Sequence, residues 1–170
     1  PLKRLHRQLD LKTGVAKNVY LLDDGTEITQ RVFVSAPDDV IAVVVSADRE
    51  IHLKVSLDES TIVDGDIVKT GAGSGENATQ YIGRVRAFPA DKTAATGDAL
   101  EIKESKEIAI YLSAATNFDR KNSQAMLPDG WQAKALRDLD GLEGRSPDDV
   151  EQRAVRDHQH YFNRLVVDFG

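Results

Sequence analysis

This sequence predicts a mainly β fold, an antiparallel β-sandwich with a C-terminal helical excursion and a final returning strand. Three observations carry that expectation. Val40-Ile41-Ala42-Val43-Val44-Val45 is an unbroken apolar run, mostly β-branched. Such a run cannot be the single stripe of a surface helix and is too short to span a membrane, so it reads as a mid-sheet strand buried on both faces. Apolar and polar residues alternate with period 2 on either side of it. After Thr116 the period lengthens toward that of a helix with one apolar face. Strands are thus expected over residues 1–116, loop and helices over 117–165, and the returning strand over 166–170, in one domain of 170 residues.

Each element follows from its own pattern. Leu5, Arg7, Leu9 and Leu11 alternate with His6, Gln8 and Asp10, a first strand with one mostly apolar face. Thr13-Gly14 turns the chain, and Val15, Val19 and Leu21 mark a second strand. Asp23-Asp24-Gly25-Thr26 holds the Asp-Gly pair of a tight hairpin, whose turn needs positive φ. Ile28 to Ser35 is a third strand, and the buried run follows Ala36-Pro37-Asp38. Asp48-Arg49-Glu50 reads as the next turn. Beyond it Ile51, Leu53, Val55 and Leu57 face inward, while His52, Lys54 and Ser56 face out. Connections this short suggest an antiparallel meander.

The later strands are less regular. Thr61 to Thr70 is one candidate, and Tyr81, Val85 and Ala87 share a face in another. Leu100 and Ile102 open a further strand, and Ile108, Ile110 and Leu112 define the last. Polar residues 119–125 read as a loop. Trp131 to Leu142 has helical spacing through Ala135, Leu136 and Leu139, with Trp131 as an anchor. Ser146 suits an N-cap, Pro147 the first helical position, and Asp148 and Asp149 the positive end of the dipole. Val150, Ala154, Val155, His158, Tyr161, Phe162 and Leu165 then recur at spacings of three and four, so Val150, Ala154, Tyr161, Phe162 and Leu165 should lie against the sheet. Residues 166–169 are strand-like.

Composition excludes several function classes. A net charge of −6 argues against nucleic acid as a partner, which would need clustered Lys and Arg. The one basic cluster, Lys3, Arg4, His6 and Arg7, fits a solvated edge strand. No cysteine is present, so disulfides and thiolate metal sites are impossible. No run is long and apolar enough to be a membrane helix. The chain begins at Pro1 and enters strand alternation at once, which reads as a piece cut from a longer polypeptide.

No catalytic residue, metal ligand or cofactor site emerges from the motifs. Gly71-Ala72-Gly73-Ser74-Gly75 lacks the third glycine of a dinucleotide fingerprint, because Glu76 stands there, and a strand pattern follows it; a hairpin loop is expected. His158 and His160 are two apart on a helix and cannot share a metal, and His158 reads as a satisfied core residue; His6 and His52 stand alone. Glycoside hydrolysis needs two carboxyls facing across a pocket. Here Asp23, Asp24, Asp38 and Asp48 sit in turns, where backbone chemistry accounts for them. Asn77-Ala78-Thr79 is a glycosylation sequon of the kind chance often produces. A substrate-binding site cannot be assigned, and 6% aromatic residues is thin provision for a self-sufficient sugar-binding module.

Three stretches in order, and a fourth near the end, resemble one family. Leu5-His6-Arg7-Gln8-Leu9-Asp10-Leu11-Lys12-Thr13-Gly14-Val15-Ala16 resembles the "R-x-L-D-L-x-x-(G/A)-x-A" segment in the N-terminal domain of family 95 glycoside hydrolases, the bacterial and plant α-L-fucosidases. Arg31-Val32-Phe33-Val34-Ser35-Ala36-Pro37-Asp38-Asp39-Val40-Ile41 is similar to that family's "R-E-x-F-x-S-x-P-D-x-V-(I/V)". Leu112-Ser113-Ala114-Ala115-Thr116-Asn117-Phe118 looks like its "L-x-A-A-T-(N/S)-(F/Y)". Residues 158–170 resemble its closing "H-x-x-D-Y-x-x-L-F-x-R-V-x-L-x-L-G", with His160 in place of the usual Asp. The resemblance implies the latter part of a supersandwich-like N-terminal domain, non-catalytic, preceding a catalytic (α/α)₆ barrel in the same parent chain. It implies for that parent a metal-independent, inverting release of L-fucose from oligosaccharides, and a secreted or periplasmic location. A stand-alone carbohydrate-binding or interaction module of β-sandwich type is the alternative.

Overall fold

A computed structural model describes residues 1–75, 78–122 and 125–164. Its nine strands are β1 (Leu2–Asp10), β2 (Val15–Leu22), β3 (Glu27–Ser35), β4 (Val40–Ser56), β5 (Thr61–Val63), β6 (Asp66–Ala72), β7 (Gln80–Phe88), β8 (Thr93–Thr96) and β9 (Ala99–Thr116). All pair antiparallel in one sheet of order β1-β2-β3-β4-β9-β7-β6-β5, with β8 on β9. The expected meander is present through β4. Two helices, α1 (Ala133–Asp140) and α2 (Pro147–Phe162), follow the strands.

The sheet becomes sandwich-like by folding over on itself. The two strands expected on either side of Asp48-Arg49-Glu50 are one strand, β4, and the two expected around Leu100 and Ile108 are one strand, β9. They pair along their whole length, with register shifts between Ser46 and Leu53. Irregularities of this kind bend a ribbon and increase its twist. Leu100 and Ile102, from the far half of the ribbon, lie in one core with Ile67, Val85, Ala87 and Ile108. Ile51, Leu53, Val55 and Leu57 pack against it, as their alternation predicted. The far half of the β4–β9 ribbon therefore covers the β6–β7 side of the sheet.

The other face carries the helices. Val15, Phe33, Val40, Ala42, Val44, Ala109 and Tyr111 form its core with Leu139, Leu142, Val150 and Ala154. Trp131 packs beside Val68, Ile82, Ala115 and Ala135, the anchor expected of it. The cap of α2 is as predicted: Ser146 Oγ accepts from Asp149 N at 3.1 Å, with Pro147 in the first turn.

Several expectations need correction. The run from Val40 is central, between β3 and β9, but only its even-numbered side is sealed throughout; on the opposite face Val45 is buried, Val43 half-buried and Ile41 exposed. The apolar face of β1 points to solvent through Leu5 and Leu9, since no layer of the described residues lies over it, and Leu11 falls in the turn after the strand. Thr61 to Thr70 is not one strand but the β5–β6 hairpin. Thr93–Thr96, unread in the sequence, forms β8. Tyr161 and Phe162 are exposed, because the last turns of α2 run past the sheet and overlie the β1–β2 turn, where His158 Nε2 meets Leu11 O at 2.9 Å. Leu165 and the returning strand expected at 166–170 lie outside the described residues.

Candidate functional site

Several polar residues of the stretches that carry the family resemblance lie at the joint between sheet and helices. Arg31 leaves β3 toward α2, where its guanidinium donates to Glu151 Oε2 at 2.6 Å and Asp148 Oδ1 at 3.0 Å. Burial raises the Glu151 carboxyl above its usual range, against the pull of Arg31. Phe33 fills the core between them. Ser35 Oγ donates to Asp38, and the other oxygen of Asp38 meets Arg153 of α2 at 3.1 Å. Asp10 accepts from Lys12 N at 2.9 Å, and its carbonyl accepts from Gly14 N at 2.8 Å, which closes the first turn. Gly14 has φ of +70°, and a Cβ there would lie 3.1 Å from the His158 ring, so glycine serves both turn and helix docking.

Asn117 works the same way where the chain leaves the sheet. It is buried, accepts from Gln80 N through Oδ1 at 2.8 Å, and returns a bond from its own N–H to Gln80 O. Ser113 Oγ donates to Asp138 Oδ2 at 2.6 Å, and Lys134 joins Asp138 to Asp39. Burial works to lower the Lys134 pKa, but these two carboxylates outweigh it and raise it. Arg31 and Asp38 thus hold α2 to the sheet, while Asn117 joins the end of β9 to the start of β7 and Asp10 closes the first turn.

A second place of interest is a cleft of about 510 Å³ on the opposite face, where the folded-over ribbon meets the β2–β3 hairpin. Its floor is Tyr20, Leu22, Ile28, Val45, Ile51 and Leu53, and its rim includes Asp24, Gln30, Arg49, Glu50 and His52. Tyr20 Oη and Asn18 Nδ2 both donate to Gln30 Oε1. Asp24 accepts from the hydroxyl and N–H of Thr26 at 2.6 and 2.9 Å, which holds its carboxyl below the usual range. A carboxylate so held stays ionised and cannot deliver a proton at neutral pH.

The motifs singled out in the sequence fall apart in space. Gly73 N donates to Thr79 O across the β6–β7 turn, so the glycine-rich stretch lies in a hairpin loop. His158 is half-buried and stacked on Phe162, at the edge of the structure and not in its core; His160 is exposed. Asp24 and Asp38 do sit in turns, each bonded locally. Part of the sequon, Asn77, lies outside the described residues. Among the described residues no group of three or more His, Asp and Glu could hold a metal ion. The buried cluster of Asp66, Arg84 and Arg86 escaped sequence reasoning, because an Arg pair alternating in a strand reads as a solvated face.

Residues 2–121 match the model of the glycosyl hydrolase family 65 N-terminal domain. The chain belongs to that family. The family 95 resemblance agrees with it at one level, an N-terminal domain of a glycoside hydrolase, while the family shown is 65. Among solved structures, this family 65 N-terminal domain is similar to a protein described as a kojibiose phosphorylase from the human microbiome. That match has a TM-score of 0.62 and 15% identity, and it covers 92% of this chain and 23% of the other. At that identity the likeness is one of fold. The chain spans under a quarter of the neighbour's length. No curated protein matches the chain.

Proposed function

We propose that this chain acts as a non-catalytic N-terminal domain within a longer enzyme that cleaves α-linked sugars. Its helix-bearing face would steady a catalytic (α/α)₆ barrel of the same polypeptide. One observation carries the reading: the polar residues of the family motifs, Arg31, Ser35, Asp38 and Asn117, are all engaged in joining strands to helices or closing the sheet. Residues kept for architecture leave chemistry to another part of the protein.

The finer proposal is that the parent releases L-fucose from oligosaccharides with inversion, outside the cytoplasm; the order of the four family-95-like stretches supports it. The name of the fold neighbour supports a different sugar chemistry, phosphorolysis of kojibiose. Both are tested by assaying the chain and the longer polypeptide on fucosyl-α-1,2-galactose, and on kojibiose with inorganic phosphate. The expected result is no turnover by the chain and release of L-fucose by the longer polypeptide. Turnover by the chain itself would overturn the domain reading. Phosphorolysis of kojibiose would overturn the choice of fucose alone. L-Fucose binding by the chain with no activity in the longer protein would favour a carbohydrate-binding module.

A further inference from the structure

Reading the strand registers across the sheet gives two rows of aliphatic residues on the face away from the helices. One runs Val34, Ile41, Leu112, Val85, Ile67 across β3, β4, β9, β7 and β6. The other runs Leu9, Ala16, Val32, Val43, Ile110, Ala87 from β1 to β7. Exposure falls along the first row from 66% at Val34 and 44% at Ile41 to 6% at Val85 and 0% at Ile67. In the second it falls from 60% at Leu9 to 3% at Ala87. Identical chemistry is buried at one end and wet at the other. The covering layer, the far half of the β4–β9 ribbon, therefore stops halfway across an apolar face.

That layer stops at an open strand edge. Residues Ile51–Ser56 of β4 pair with β9 on one side, and β3 pairs with β4 only as far as Ala47, so among the described strands nothing bonds the other side. The cleft at Tyr20, Ile28, Ile51 and Leu53 is the corner between this edge and the uncovered half of the sheet. An open edge presents a row of free N–H and C=O groups, which extended chains pair with readily.

We propose that the Ile51–Ser56 edge of β4 accepts a further β-strand from the same polypeptide, outside residues 1–170, with apolar residues at alternate positions. It fills the Tyr20–Leu53 corner and continues the second layer over Val32, Val34, Ile41 and Val43. The proposal rests on the reading that the chain is one domain of a longer enzyme. A sugar is a poorer occupant of this corner, because the floor is mostly apolar, Tyr20 Oη and the Asp24 carboxylate being already bound to Gln30 and Thr26.

Amide hydrogen exchange on the chain and on the longer polypeptide tests the proposal. The Ile51–Ser56 amides that do not bond β9 should exchange quickly in the chain, and about 100-fold more slowly in the longer protein, as for amides that join a ladder. Ile41→Lys and Val34→Lys should leave the melting temperature of the chain within a degree or two and lower that of the longer protein by several degrees. Equal exchange in both proteins, or equal tolerance of the two lysines, overturns the inference. So does concentration-dependent dimerisation of the chain that protects the same amides, or L-fucose shifting the Tyr20 and Gln30 resonances of the longer protein. Enzyme activity is read separately. An active longer protein with an unprotected edge sinks the strand alone, and a protected edge in an inactive one sinks only the enzymatic reading.

Discussion

Arg86 grips Asp66 at both carboxylate oxygens, Nε to Oδ1 at 2.7 Å and Nη2 to Oδ2 at 2.9 Å. The same guanidinium reaches Asp140 of α1 at 3.0 Å, and Arg84 adds a second bond to Asp66 at 3.1 Å. Hydrogen bonding to Asp66 holds the Arg86 pKa above its ordinary value. One buried carboxylate on β6 thus pairs with two arginines of β7, and one of those, Arg86, also ties α1 to the sheet through Asp140. Replacing the carboxylate leaves the buried Arg84 without its carboxylate partner and Arg86 with only the exposed Asp140 and Glu143. Asp66→Ala is therefore expected to cost about 3–5 kcal/mol, the range for breaking one side of a buried pair. Urea unfolding measures it, and a loss under about 1 kcal/mol would show that the arginines find solvent.

The helices should differ in how firmly each end is held. Leu139 is fully buried between α1 and the sheet, whereas Phe162 is 42% exposed. Leu139→Ala should cost about 2–5 kcal/mol, as for other buried large-to-small changes. Phe162→Ala should cost about 1 kcal/mol or less, because much of its surface is wet already and, among the described residues, His158 is its one ring neighbour. Thermal unfolding of the two variants side by side checks the ordering. A larger loss at Phe162 would mean that the end of α2 is covered by something outside the described residues.

Strand alternation was legible because period 2 needs only neighbours in sequence. Ile51, Leu53 and Val55 turned inward as their pattern required. Which faces are covered was not legible. Ile41 and Val44 look alike in the sequence, yet one is wet and the other sealed, and the difference lies in helices more than ninety residues away. Asp48-Arg49-Glu50 has the composition of a turn, and the chain instead bends there without breaking the strand. Capping of α2 was legible because Ser146, Pro147 and the two Asp residues act within a single turn. The Asp66 cluster was not, since its partners come together only once β6, β7 and α1 are in place.

Tyr111 should titrate well above the ordinary range of a tyrosine. Its hydroxyl is buried with no hydrogen-bond partner among the described residues. Burial, reinforced by Glu107 and Asp38 and opposed by Arg31, pushes its pKa up to about 12 from 10.0. The folded-state value is raised, so the native state is favoured fully below pH 10 and loses that advantage as pH rises toward 12. Phenolate absorbance should show one tyrosine ionising only with unfolding. Tyr111→Phe removes an unpaired hydroxyl while keeping the edge contact to Phe88, and should stabilise by up to about 1–2 kcal/mol at neutral pH. A destabilised Tyr111→Phe would mean that the hydroxyl has a partner after all.

Gly71 and Tyr81 face each other across β6 and β7. A Cβ built on Gly71 would collide with the Tyr81 hydroxyl and fall 2.7 Å from a carbon of its ring, so the ring lies over bare backbone. Gly71→Ala must push that ring aside. Tyr81 is half in solvent and can swing outward, but it then loses its contact with the strand. The expected cost is about 1–3 kcal/mol, the usual range for overpacking. In a Tyr81→Ala background the clash is gone, and an alanine in a strand loses less backbone freedom on folding than a glycine. There Gly71→Ala should be neutral or stabilising, so the two changes should be coupled by more than about 1 kcal/mol in a double-mutant cycle. Additive losses would mean that glycine is required at 71 for its backbone alone, and that the ring above it is incidental.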